Sequence, residues 1–173
     1  MSRRPRAYVD ISRAYFYAKS IRPTYIKVPS EDPRAGEAGL CGKLLMSMYG
    51  TRDAAANFAS KVMDVLGNMQ FEIGTFNPCL ARHTTRNLRL AYHGDDFIIL
   101  GSPADLEWFK NQLNKELITK VRGVLGPDEG QVREITLLNR IVRYAYDAGG
   151  RPQIEGEGDP RHVEIITAAL GLR

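Results

Sequence analysis

Three aspartates have the residue type and surroundings that divalent-cation chemistry requires. Asp10 ends a short β-prone run, and Asp95 and Asp96 stand together between two further β-prone runs. If folding brought three carboxylates onto adjacent strands, they would repel one another unless cations were present. Two Mg²⁺ ions about 3.5–4 Å apart, held by such carboxylates, support in-line attack at phosphorus. On spacing alone, Asp95 and Asp96 are more simply explained as residues of a solvated turn. The neighbouring residues must therefore decide between a turn and a metal site.

The paired acids are predicted to lie at the tip of a β-hairpin. Residues 88–92 and 97–100 are rich in β-prone side chains, and His93-Gly94-Asp95-Asp96 between them is rich in turn formers. Residues 7–11, which end with Asp10 and Ile11, form another β-prone run. The hairpin and this strand are therefore the elements that must position the three acids.

Two amphipathic helices are predicted on either side of the hairpin. Across residues 54–69, apolar residues recur at intervals of 4, 3 and 4, which places on one face Phe58, Val62, Val65 and Met69. The second helix is expected to begin with Ser102 as its cap and Pro103 in its first turn. Its buried stripe would consist of Leu106, Phe109, Leu113 and Leu117.

The remaining segments complete an α+β pattern. Strands are predicted at residues 25–28, 41–46, 120–125 and 137–146, with a loop at residues 29–39. A turn at residues 147–150 and a polar linker should follow, and Asp159 should open a final helix that the chain end cuts short. This order predicts a mainly antiparallel sheet with helices packed on one face.

Composition indicates a single compact domain without disulfides. The chain has 173 residues, 43% of them hydrophobic, and 24 basic against 20 acidic residues. A net charge of +4 is compatible with a polyanionic partner. The two cysteines, Cys41 and Cys79, are widely spaced, which favours a reducing, intracellular setting. Neither a membrane-spanning run nor a secretory signal after the basic first residues is predicted.

Four blocks in order carry a resemblance to a known family. Residues 8–16, Tyr-Val-Asp-Ile-Ser-Arg-Ala-Tyr-Phe, resemble the first palm motif of reverse transcriptases. Residues 90–101, with His-Gly-Asp-Asp at their centre, resemble the second, usually a Tyr-x-Asp-Asp hairpin. Residues 41–50 and 76–80 are similar to two blocks of the copia-type retrotransposon enzymes. The resemblance spans about residues 7–146.

The resemblance implies a polymerase palm and an RNA-directed DNA polymerase activity. It implies that residues 1–155 form the palm, with a residual fingers insertion at about residues 20–50. Residues 156–173 would be a linker and a truncated helix toward a largely absent thumb. The implied partners are an RNA or DNA template with its primer, dNTPs and the rest of a Pol polyprotein. The implied location is cytoplasmic, in a virus-like particle, and also nuclear.

The resemblance also assigns roles to individual residues. The catalytic residues would be Asp10, Asp95 and Asp96. The same acids together with Ile11 would bind two Mg²⁺ ions, or Mn²⁺ in their place. The nucleotide-binding residues would be Tyr15, under the incoming sugar, and the pair Tyr49 and Gly50. The primer and template would contact His93 and Gly94.

Two other functions remain open beside DNA synthesis. Gly94-Asp95-Asp96 is similar to the Gly-Asp-Asp of viral RNA-dependent RNA polymerases, although Tyr15 stands where a 2′-hydroxyl would need room. A degenerate, non-catalytic palm with weak nucleic-acid binding is the other alternative. It is favoured by Asp53, which replaces part of a Leu-Lys-Gln-Ala-Pro-like run, and by the absence of the upstream finger strands.

Further polar residues have a weaker claim to function. Cys41, Cys79, His83 and His93 are zinc-ligand types, but Cys41 stands alone and we expect no zinc site. We expect His83 and His162 at the surface and Trp108 in helix packing. Basic residues that have the charge to contact a nucleic-acid backbone are Arg82, Arg86, Arg89, Lys120 and Arg122.

Overall fold

The computed structural model describes residues 5–172, and the basic start, residues 1–4, lies outside the described part. Its strands in chain order are β1 Arg6–Ile11, β2 Tyr25–Ile26, β3 Gly42–Lys43, β4 Phe71–Ile73, β5 Leu80–His83, β6 Arg89–His93, β7 Asp96–Leu100, β8 Thr119–Leu125, β9 Glu134–Leu137, β10 Arg140–Tyr146 and β11 Pro152–Gly156. Its α-helices are α1 Ala54–Asn68, α2 Pro103–Leu113 and α3 Pro160–Ala169, and a 3₁₀ helix spans Ala14–Tyr17.

A six-stranded sheet forms the centre of the described chain. Its strand order is β4-β5-β6-β7-β1-β8, and every neighbouring pair is antiparallel. β1 therefore lies between β7 and β8, although about 85 residues separate it from β7 along the chain. The strand that carries Asp10 is thus next to the hairpin that carries Asp96, as the sequence predicts.

Helices α1 and α2 cover one face of this sheet. Side chains alternate along β1, so Val9 and Ile11 point into the main core. Phe58 of α1 and Phe109 of α2 are each 1% exposed in the same core. Truncating either ring to alanine would cost about 3–5 kcal/mol, because the cavity could collapse only in part. The predicted α+β fold with helices on one face is confirmed.

The opposite face of the sheet meets a second, smaller core. Tyr8, which alternates with Val9, is buried there with Leu125 and Ile135. Ile135 belongs to a separate three-stranded sheet of order β11-β10-β9. This small sheet covers part of the open face, and the end of β1 that carries Asp10 continues beyond Tyr8.

The predicted caps and turns are partly confirmed. Ser102 Oγ accepts a hydrogen bond from the Asp105 N–H at 3.1 Å, so α2 begins as the sequence indicates. Asp159 caps α3 in the same way, accepting from the Arg161 N–H at 3.0 Å. The strands predicted at residues 25–28 and 41–46 are shorter in the structure. Each has only two residues, Tyr25–Ile26 and Gly42–Lys43.

One strand prediction is wrong, and three strands were not predicted. Residues 137–146 are not one strand, because Leu138 and Asn139, with φ of 48° and 60°, form the turn between β9 and β10. The polar linker contains β11, which pairs with β10. β4 and β5 were missed, since Gly74 to Leu80 interrupts their pattern with Asn and Pro. Exposed strands carry too few apolar residues to show alternation.

Candidate carboxylate site

Asp10 and Asp96 form the centre of the candidate site. Asp10 lies directly opposite Asp96 across the antiparallel pair of β1 and β7. Directly opposed residues project from the same face of a sheet, with Cβ atoms about 4.5–5.5 Å apart. Since Val9 and Ile11 point to the helices, both carboxylates project from the open face. The two acids that the sequence separates by most of a domain therefore share one site.

Asp95 lies beside this pair, in the hairpin turn itself. His93 and Asp96 are the last paired residues of β6 and β7, so the tip is a two-residue turn of Gly94 and Asp95. Gly94 has φ of 60°, which glycine adopts without steric cost at the first central position. The Asp95 carbonyl accepts a hydrogen bond from the Ile11 N–H at 2.9 Å. The tip is thereby fastened to the residue after Asp10.

Ile11 contributes to the site through its backbone. Its side chain is 1% exposed and belongs to the main core. Its N–H is committed to Asp95, as described above. The predicted assignment of Ile11 to the metal ions therefore concerns main-chain atoms and remains a prediction.

Arg122 bridges the two opposed carboxylates. Its Nη2 lies 2.7 Å from Oδ1 of Asp10 and 3.1 Å from Oδ1 of Asp96. On β8, Gly123 pairs with Tyr8 and Val121 with Val9, so Arg122 is the extra residue of a β-bulge. Bulges re-aim a side chain, and this one directs a guanidinium to the acids. The hydrogen bond to Asp10 is the largest influence raising the pKa of Arg122.

From the sequence, Arg122 is predicted only as a basic residue with the charge to contact nucleic acid. Its contact with Asp10 joins residues 112 positions apart and depends on the register of β8. The short β-prone run at residues 120–125 shows no bulge by itself. The only signal available in the sequence was a basic residue in a strand expected to join the sheet.

The pKa of Asp96 reflects its burial and the neighbouring carboxylates. Burial is the largest influence on Asp96, and it raises the pKa of this carboxyl above its usual value. The negative charges of Asp95 and Asp10 raise the pKa further, and Arg122 opposes them. Asp96 thus lies within reach of both other acids, and its environment favours a nearby cation.

Two carboxylates of the type that binds a hard divalent cation share this face. Carboxylate oxygens are the ligands that Mg²⁺ prefers, and Asp10 and Asp96 present theirs on one face with Asp95 adjacent. In the arrangement described for residues 5–172, no group of three or more His, Cys, Asp and Glu side chains is placed to hold a metal ion. Arg122 provides the positive charge between Asp10 and Asp96 instead.

An aromatic cluster stands next to the acids. The Tyr15 and Tyr49 rings have centroids 4.5 Å apart, and Tyr15 also contacts Phe58 of the core at 6.0 Å. Burial raises the pKa of Tyr49, and the charge of Asp95 raises it further, while hydrogen bonds with the backbone of Ala14 and Tyr15 oppose the shift. Tyr49 therefore connects the predicted nucleotide-binding residues with the carboxylates.

The segment that carries Tyr49 and Gly50 is anchored through buried hydrogen bonds. Ser47, 1% exposed, donates its N–H to the Ala18 carbonyl at 2.7 Å. Asn57 of α1 donates to Ser47 Oγ at 3.0 Å and to Asp53 Oδ2 at 3.2 Å. Gly50 follows with φ of 85°, an exposed turn position that favours glycine. The anchor holds Tyr49 against Tyr15.

His93 and Gly94 lie exposed beside the acids. His93 directly opposes Asp96, and its charge lowers the pKa of that carboxyl slightly against the effect of burial. A side chain added at Gly94 would meet nothing within 4 Å. The surface next to these two residues is open, which their predicted contact with a primer and template requires.

The four zinc-ligand types do not form a site. Cys41 is exposed, whereas Cys79 packs against the main core. His83, expected at the surface, is 7% exposed, and this prediction is wrong. Its Nδ1 accepts hydrogen bonds from the N–H groups of Thr85 and Arg86 at 3.1 and 3.0 Å. His83 also packs edge-on against Trp108, which confirms the predicted packing role of that residue.

Two of the basic residues proposed for backbone contact are neutralised within the protein. Arg82 pairs with Glu72 at 2.6 Å. Arg86 pairs with Asp105 at 3.0 Å and stacks over Trp108, with its Cζ 4.2 Å from the ring centroid. With Arg122 engaged by the acids, Arg89 and Lys120 are the two of these five residues that form no ion pair within residues 5–172.

No protein-family model matches this chain. None of the helices in residues 5–172 is long and apolar enough to cross a membrane. The class that the described residues define is an α+β protein with an antiparallel six-stranded sheet, helices on one face and a carboxylate cluster on the other. Assignment to any narrower class depends on the resemblance of the four sequence blocks to reverse transcriptases.

Proposed function

We propose that this chain is the palm of a copia-type reverse transcriptase and carries out RNA-directed DNA synthesis by two-metal phosphoryl transfer. The observation that carries the proposal is the direct opposition of Asp10 and Asp96, with Asp95 in the adjoining turn. The resemblance assigns all three acids to metal binding, and it covers the strand and the hairpin that meet here. Such a compact acidic cluster is what two-metal chemistry needs.

In this proposal the three aspartates hold two Mg²⁺ ions, with Mn²⁺ as a substitute. The ions supply activation of a primer 3′-hydroxyl and charge stabilisation at the α-phosphorus of a dNTP. Tyr15 lies beneath the sugar, and its packing between Tyr49 and Phe58 would keep the ring in place. Gly50 would leave room for the nucleotide and template. The open surface at His93 and Gly94 would receive the primer end.

The wider setting follows from the same resemblance. The partners would be an RNA or DNA template with its primer, dNTPs and the remainder of a Pol polyprotein. Palm residues would extend over 1–155 with a fingers insertion at about 20–50, and residues 156–173 would lead toward a thumb. The location would be the cytoplasm, in a virus-like particle, and the nucleus.

A non-catalytic palm with weak nucleic-acid binding is the second candidate. Arg122 favours it, because its guanidinium supplies positive charge to Asp10 and Asp96 without a metal. Asp53 adds a negative charge, since a hydrogen bond from Asn57 is the largest influence lowering the pKa of its carboxyl. This candidate predicts the same fold without metal binding or turnover.

Primer extension separates the two candidates. The chain is tested on a primed RNA template with Mg²⁺ and dNTPs. We expect extension by the unchanged protein and none by Asp10→Asn, Asp95→Asn or Asp96→Asn. The matched control Asp64→Asn, on the exposed side of α1, should extend normally. Extension by Asp96→Asn at limiting Mg²⁺ would refute the assignment, and a chain that neither extends nor binds Mn²⁺ would establish the second candidate.

A further inference from the structure

A cavity of about 480 Å³ opens on the same sheet face as the carboxylates, at the other end of the strands. It lies where the small sheet of β9, β10 and β11 meets the six-stranded sheet. Its lining includes Arg6, Arg89, Leu100, Leu125, Tyr144 and Ile154. Cavities of about 300–1,000 Å³ are the usual size of small-molecule sites. None of the residues assigned to the polymerase site lines it.

Two arginines face this cavity from neighbouring positions in the sheet. Arg6 on β1 and Arg89 on β6 both lie directly opposite Leu100 of β7. One strand therefore separates them, and their Cα atoms are about 10 Å apart, twice the spacing of adjacent strands. Arg6 projects from the same face as Tyr8 and Asp10, because residues two positions apart along β1 share a face. Arg89 shares this face, because it directly opposes Leu100 as Arg6 does. Long guanidinium side chains at this separation can reach one ligand.

The charges of these two arginines are not neutralised by the part of the chain described, residues 5–172. Arg82, Arg86 and Arg122 each form ion pairs, but neither Arg6 nor Arg89 does. The carboxylate in the lining is Asp128, which accepts a hydrogen bond from Gln131 Nε2 at 3.1 Å. The lining thus carries two positive charges and one negative charge, and it favours an anion.

The other walls are mixed, with Gln131 and Gln153 beside apolar side chains. Leu100 and Leu125 form the base, and Ile154 of β11 lies opposite Tyr144 of β10 on the far side. An inorganic ion would leave these walls without a partner. A ligand that combines an anionic group with a flat, weakly polar body would use both the arginines and the apolar surfaces.

We propose that this cavity binds a nucleotide, with Arg6 and Arg89 holding its phosphate and the apolar walls accepting its sugar and base. Guanidinium groups match phosphate oxygens as paired hydrogen-bond donors, which makes arginine suited to this ligand. Arg6 precedes Asp10 by four residues on β1, so the site is about 13 Å from the carboxylates. The nucleotide is either free or one unit of a strand that extends along the sheet face.

Binding is tested on the full chain in EDTA, so that metal binding at the carboxylates has no influence. The two probes are dTMP and a short fluorescein-labelled oligothymidylate, titrated by calorimetry and by fluorescence anisotropy. Arg6→Gln and Arg89→Gln should each weaken binding roughly ten-fold, the loss of one charge-assisted contact. Arg34→Gln, which removes the same charge from the exposed loop of residues 29–39, should bind as the unchanged protein does.

A second pair of variants tests the cavity without altering charge. Ile154→Trp fills the space between β11 and the sheet and should abolish binding. Val163→Trp places the same ring on the exposed surface of α3 and should leave binding intact. Thermal unfolding followed by circular dichroism verifies that each variant is folded.

The outcomes separate the two sources of the nucleotide. Arginine-dependent binding of dTMP supports a free nucleotide site, and dependence confined to the oligothymidylate supports a site for a strand. Equal weakening by Arg34→Gln, or unchanged binding by Ile154→Trp, would overturn the proposal. Neither result bears on primer extension, since Arg6 and Arg89 lie outside the carboxylate site.

Discussion

Asp10 on β1 is the direct cross-strand neighbour of Asp96 on β7, and the guanidinium of Arg122 bridges the two carboxylates. The side chains of Asp10 and Asp96 are only 22% and 13% exposed, so water screens their repulsion incompletely. Positive charge at this position relieves that repulsion. The chain supplies this charge from a β-bulge, and any divalent cation must compete with it.

Removing the competing charge should increase metal affinity. We expect Arg122→Gln to tighten Mn²⁺ binding roughly ten-fold, because one charge-assisted hydrogen bond no longer has to be broken. The titration is followed by the electron paramagnetic resonance signal of free Mn²⁺. Arg82→Gln, which loses only an exposed ion pair with Glu72, should leave the affinity unchanged. Weaker Mn²⁺ binding by Arg122→Gln would show that Arg122 positions the acids rather than competing for them.

The packing of Tyr15 allows a test of sugar selection. Tyr15→Val should increase ribonucleotide incorporation with less effect on deoxynucleotides, because a packed ring rejects only the substrate with the additional hydroxyl. The measurement is the ratio of dNTP to rNTP incorporation efficiency. Tyr25→Val, the same change at an exposed position of β2, is the control. An unaltered ratio would make Tyr15 a core aromatic and would favour the RNA polymerase alternative.

Asp53 allows a test of charge near the anchored loop. Its carboxylate accepts a hydrogen bond from Asn57, which lowers its pKa and keeps it ionised at neutral pH. Asp53→Gln should strengthen binding of an oligonucleotide at low salt, where repulsion between anions is least screened. The control is Glu37→Gln, which also replaces a carboxylate with an amide but lies in the exposed loop before β3. Equal affinities for the two variants would place Asp53 away from the bound strand.

His83 should make the fold sensitive to mild acid. Burial, followed by the charge of Arg86, lowers the pKa of His83 below 6.5, and its Nδ1 must stay unprotonated to accept two backbone hydrogen bonds. Below pH 6.5 the unfolded chain gains a proton that the folded chain resists, so stability declines until the folded pKa is reached. Urea unfolding of the unchanged protein and His83→Gln should reveal a steeper decline in the former. His162→Gln, on the exposed surface of α3, should retain the steep decline.

Local signals in the sequence were enough for much of the architecture. The apolar periodicity of α1, the Ser102 cap of α2 and the turn formers around Asp95 each predicted an element that the structure confirms. These signals involve residues only a few positions apart, and their physical basis lies in the backbone itself. The missed strands β4, β5 and β11 depend on pairing partners, because β4 and β5 have only three and four residues and β11 is exposed throughout. None of them reveals a buried face by itself.

The sequence alone determined which acids to consider, and the tertiary structure alone decided their surroundings. That Asp95 and Asp96 follow a glycine between β-prone runs is readable from neighbouring residues. That Asp10 opposes Asp96 depends on the register of β1 against β7, and a shift of one residue would turn Asp10 into the core. The positions of Arg122 and Arg89 were equally undetermined, because a bulge and a shared cross-strand neighbour exist only after distant strands have paired.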